Sequence, residues 1–216
     1  MPDAGSFRAA PVNPLLTFGL PTAIGAVTVA NGSPLSVGLG LKACRIIAGA
    51  LETAVHDGSD RPARAAMSLG SLIAGLAMNL SDCGADHALG HASGAVLHLP
   101  HGLAVGLTLA EALDVTRRAV PERLERVADA VGERLPSGPA DGSRAVAAVR
   151  RILDAIGLPS ARDAGMREQH IDAMTALAAD DHCLAVDAHR WTADDVRGAY
   201  AAALTGDACT RETPSR

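Results

Sequence analysis

The apolar residues of this chain recur every three or four positions, and nowhere do they alternate singly with polar ones. Leu35, Leu39, Ala43, Ile46, Ile47, Ala50 and Leu51 set the pattern. Such spacing lines one side of an α-helix, whereas a half-buried strand needs a period of two. Composition narrows the choice further. Hydrophobic residues are 48% of the 216 but aromatics only 2%, so a core must be built from Ala, Leu, Val and Ile, which suit closely packed helices. The length allows a sizeable core, and the fold class is all-α.

Helix boundaries follow from caps and breakers. Ser33-Pro34 starts a helix, Ser as N-cap and Pro at the first helical position, running to about Val55. His56 to Asp60 is a polar turn. A second helix from about Pro62 to Leu80 carries Leu69, Leu72, Ile73, Leu76 and Leu80 as its inward stripe, and Gly70 and Gly75 suggest a close neighbour. A histidine-bearing helix follows, then a central helix over about Gly102–Ala119. Further helices begin at Pro121, Ser143 (capped by Gly157) and about Glu168, with a loop over Leu135–Gly142. Thr192 and Asp195 form a capping box for the last. The domain spans 14–206, between flexible tails at 1–13 and 207–216. Leu15–Ala30 is apolar, but it is short for a bilayer and interrupted by Pro21. It reads as a buried entry segment, with no membrane role.

The net charge of −5, with no basic run, argues against nucleic acid as a partner. Cys44, Cys83, Cys183 and Cys209 have no CxxC spacing and read as free thiols in a reducing cytoplasm.

The chemistry concentrates between Asp86 and Gly102, where four of the eight histidines fall. His87 and His91, four apart, share a helix face. His98 and His101, three apart, flank the break made by Pro100 and Gly102. Converging imidazoles suit a divalent metal, while histidines scattered along an amphipathic surface would give the same spacing. Asp86 reads as the cap of this helix, and Asp82, Cys83 or Asp86 are further donors in reach. His56, His170, His182 and His189 read as solvated or structural, and Cys83 as a buried thiol.

The string His87-Ala-Leu-Gly-His91, with Pro100-His101-Gly102 after it, resembles the signature of iron-containing (group III) alcohol dehydrogenases. The similarity runs from about residue 13 to 205. It implies the helical C-terminal half of a dehydroquinate synthase-like fold. It also implies His87 and His101 as ligands of iron or zinc, and His91 as the catalytic residue that relays a proton while NAD(P) exchanges hydride with an alcohol or an aldehyde or ketone. His98 has the best claim to complete the ligand set.

Two departures from the family matter. The Gly-rich α/β nucleotide domain has no counterpart here, so NAD(P) would need a partner chain. The family's remaining ligands, an Asp and a His four residues later, are missing between Pro21 and Pro34, as though their helix were deleted. An isolated helical half should expose an apolar face, which implies a homo-oligomer or a partner chain. A degenerate non-catalytic module, and a metal enzyme without nicotinamide using His87, His98 and His101, are the alternatives.

Overall fold

The computed structural model describes residues 14–132 and 140–206, with side chains from Gly19 onward. Among them there is no strand, only one isolated antiparallel bridge between Val29 and Asp187. The expected tails and most of the 135–142 loop lie outside the described residues. Eleven α-helices run in order: α1 Pro14–Thr28, α2 Pro34–Ala48, α3 Leu51–His56, α4 Arg61–Asn79, α5 Ala85–Leu97, α6 His101–Thr116, α7 Pro121–Ala130, α8 Ser143–Ala155, α9 Ile171–Ala179, α10 His182–Val186 and α11 Ala193–Thr205.

Local chemistry sets most of these ends. Ser33 accepts from the Ser36 N–H while Ser36 accepts from the Ser33 N–H, closing a capping box at α2. Thr192 and Asp195 do the same for α11. The helix expected to reach Val55 is instead two. At Gly49 the backbone N–H turns back to the Arg45 and Ile47 carbonyls, and α3 starts afresh.

Two apolar cores meet on α6. Leu109, Ala110 and Leu113 join residues of α1, α2, α4, α7 and α8 in the larger one. Ala112 joins residues of α5, α9 and α11 in the smaller one, which holds the wholly buried Tyr200. Every residue from Ala104 to Thr116 is buried, as expected of a central helix.

Of the stripe expected on α4, Ile73 packs half-buried against the larger core, and the four leucines turn outward. Met67, Gly70, Ala74 and Ala77 face inward, while Leu69, Leu72, Leu76 and Leu80 are 48–62% exposed. The reason is close helix packing. A Cβ at Gly70 would lie 2.6 Å from the Ile47 side chain, so only small residues fit between α4 and α2. Gly75 has nothing within 4 Å and serves no such contact.

The entry segment is buried, as expected, and forms a helix, α1, running against the start of α5. Its Gly25 faces that start: a Cβ there would sit 3.2 Å from the Gly84 nitrogen and 3.4 Å from Asp86 Oδ1.

Candidate metal centre

The break read at Pro100 places three imidazoles together. Helix α5 ends at His98, which takes the left-handed conformation (φ 54°), and α6 begins at His101 after the extended Pro100. The two helices pack closely because Gly90 admits Val105, whose Cγ2 would lie 2.4 Å from a Cβ at 90. Across this junction the ring centres of His87 and His101 are 5.6 Å apart, His91 and His101 5.3 Å, and His87 and His91 6.0 Å. His87 is the buried floor of the group, and His91 and His101 open to solvent. His98, expected beside them, does not join: it is exposed, and its backbone serves to end α5.

Two carboxylates hold two of these rings. Asp86 is not the helix cap, which is Gly84; it lies in the first turn, buried, and accepts a 2.9 Å hydrogen bond from His87 Nδ1. Asp181 Oδ2 accepts from His91 Nδ1 at 2.8 Å. With Nδ1 donating, a neutral ring carries its lone pair on Nε2, the tautomer that second-shell carboxylates impose on metal-ligating histidines.

The same pairs set the ionisation of the cluster. Burial works to lower the His87 pKa, but the charge and hydrogen bond of Asp86, with help from Cys83 and Asp181, raise it to about 9. Burial and the positive fields of His87 and His91 hold His101 below the ordinary histidine value. Burial pushes Asp181 up, and the hydrogen bonds from His91 and the Cys183 N–H outweigh it, leaving the carboxyl below its usual range.

Two imidazoles on one ion, with metal–nitrogen bonds of about 2.0–2.1 Å, place their ring centres roughly 5 Å apart. His87 and His101 stand close to that separation. Three-ligand groups with all donor atoms within 4.8 Å occur among the described residues at Asp82, Cys83 and Cys183, and at His91, Asp181 and Cys183, the second sharing His91 with the imidazole cluster. Asp181 and Cys183 were missed as site residues in the sequence. They lie 90 and 100 positions from their partners His91 and Cys83, and no local spacing announces them.

Asp187 ties the site to the far end of the chain. Its carboxylate is buried and accepts from the Ala85 N–H at the start of α5, from the Thr116 hydroxyl, from the His189 N–H and from Trp191 Nε1. Of the remaining histidines, His182 donates to Asp82 at 2.8 Å and His56 to the Ala155 carbonyl at 2.8 Å, both as surface ties.

Comparison with known proteins bears on the family and the fold. Residues 21–204 match the model of the Fe-containing alcohol dehydrogenase family, C-terminal domain. The chain belongs to that family. It is 31% identical to the probable alcohol dehydrogenase EutG of Escherichia coli over 217 residues, covering 94% of this chain and 53% of that protein. It is also 31% identical to the 1,3-propanediol dehydrogenase of Klebsiella pneumoniae, covering 78% and 48%. A crystal structure of 1,3-propanediol oxidoreductase superposes with a TM-score of 0.85 at 27% identity, over 88% of this chain and 51% of that one. The chain thus spans about half the length of the curated relatives it matches, and its all-α fold is that of the family's C-terminal half.

Proposed function

We propose that this chain is the metal-binding helical half of an alcohol dehydrogenase-like oxidoreductase. It would interconvert an alcohol with an aldehyde or ketone, with NAD(P) held by an α/β domain outside the described residues. The observation that carries this reading is the imidazole cluster itself. His87 and His101 face each other across the α5–α6 junction, and Asp86 fixes the ring of His87 through Nδ1. His87 and His101 would hold iron or zinc, which as a Lewis acid lowers the pKa of an alcohol.

The rest of the work falls to this chain's own side chains. His91, solvent-facing and 5.3 Å from His101 between ring centres, takes the proton and passes charge toward Asp181. The open side formed by His91 and His101 receives the small substrate, and buried His87 closes the floor against water. A second reading, a non-catalytic helical module, is favoured by one specific feature: the described side chains of α1 include no Asp or His to add to the two imidazoles. A catalytic metal site normally has three protein ligands and an open position.

Metal analysis separates the two readings. The first expects His87→Ala and His101→Ala each to lower the zinc or ferrous iron bound by the purified chain by about one equivalent. It also expects NADH to bind only when a Gly-rich α/β domain is added. Zinc uptake indifferent to both substitutions would leave the non-catalytic module standing.

The proposal includes a second copy of the chain as partner. Leu69, Leu72 and Leu76 on the outer face of α4, with Leu80 at its cap, follow a three-and-four spacing, the pattern of a seam that can pair with its own copy. No helix among the described residues is long and apolar enough to cross a membrane.

A further inference from the structure

We propose that Asp82, Cys83 and Cys183 form a second metal site, of zinc-like softness, distinct from the imidazole cluster. The two sulfurs are both buried and stand 3.0 Å apart as free thiols, brought together from positions 100 residues apart. A carboxylate oxygen of Asp82 lies with them inside one 4.8 Å group. Cys83 lies in the loop between α4 and α5, and Cys183 in the first turn of α10.

The donor set selects the ion. Two thiolates and one carboxylate favour a borderline-soft divalent metal such as zinc over magnesium or calcium, which prefer oxygen. Zinc–sulfur bonds of about 2.3 Å in tetrahedral geometry set two sulfurs roughly 3.7 Å apart. The observed pair would need to part by roughly 0.7 Å, within reach of small side-chain rotations. Three protein ligands leave a fourth position open.

Supporting groups are in place. Asp82 holds a left-handed backbone (φ 96°), unusual for a residue with a side chain, and one of its oxygens accepts from the Cys83 N–H. Its other oxygen accepts from His182 Nε2 at 2.8 Å, which orients the carboxylate from outside. An open hollow of about 490 Å3 adjoins the group, lined by Asp82 and Cys83 together with Asn31 and Asn79.

The binding step balances simply. A divalent ion displaces the two thiol protons to solvent and forms two metal–sulfur bonds, with no change of oxidation state. Such an ion would clamp α10 to the α4–α5 loop. Asp181, the residue before α10, would then be fixed against His91, so the site would position the relay of the first cluster.

Cobalt(II) is the probe, because a thiolate bound to it gives a charge-transfer band in the near ultraviolet that imidazoles do not give. The full chain, purified under reductant and stripped with chelator, is titrated with cobalt(II) and then zinc. The proposal expects one equivalent of cobalt to produce the band and zinc to abolish it. It expects loss of the band in Cys83→Ser and in Cys183→Ser, and its retention in Cys44→Ala, Cys209→Ser and His101→Ala. The last variant removes the imidazole pair alone, so failure of that site leaves this test intact. Absence of the band from the unsubstituted chain would overturn the proposal whatever the variants do. So would a band that survives in folded Cys83→Ser, and the two thiols would then be small packed hydrophobes.

Discussion

At the scale of the residue, buried carboxylates decide what the site can do. Asp187 satisfies four donors with two oxygens, and Asn would turn an N–H toward the Ala85 N–H or lose an acceptor for Trp191. Asp187→Asn is expected to cost about 2–3 kcal/mol, the usual result of leaving a buried donor unmet, read from the denaturant midpoint. Asp86 acts through His87. In the chelator-treated chain the His87 imidazole should titrate near 9 by NMR, and Asp86→Asn should bring it down. The sign for stability follows from this. The folded value exceeds the ordinary 6.5, so the pair's contribution is complete below about pH 6.5 and is lost as pH rises through about 9. Metal uptake should run the other way, since a proton on His87 competes with the ion. The imidazoles themselves were readable from sequence because 87, 91 and 101 form one local motif. His98 misled because one-turn spacing ignores backbone hand: its left-handed φ takes the chain out of helical register at that very residue.

At the scale of the element, glycines separate contact from permissiveness. Gly90→Ala would press a methyl into Val105 and spread α5 from α6, with an expected loss of about 1–3 kcal/mol and weaker zinc binding. Gly75→Ala meets open space and should stabilise α4 by up to about 1 kcal/mol. Paired thermal melts check both. Helix order and most termini were legible, because caps such as Ser33 and Thr192 are local chemistry. The facing of α4 was not. Hydrophobic periodicity assigns leucines inward, but the depth of the α2–α4 contact is set by the small residues Gly70, Ala74 and Ala77, so the larger side chains were left outside. Helix α10 escaped notice because five residues carry too little periodicity to register.

At the scale of the whole molecule, the exposed leucines of α4 predict association. Sedimentation at micromolar protein is expected to give a dimer, and Leu72→Lys with Leu76→Lys a monomer of unchanged helicity; a monomeric parent chain would remove the proposed seam. The family was legible from seventeen residues, whereas the missing ligands were legible only as a gap in the letters. That the entry segment is helical as α1 required three dimensions, since its Pro21 and its glycines argue against helix in isolation. Helix α6 supplies side chains to both cores and begins at His101. Its amides should therefore be among the slowest in the protein to trade hydrogen for deuterium, released only when both halves open together. A ligand anchored at the first turn of such a helix sits on a well-fixed base, so its position is set less by α6 than by how closely α5 lies against it.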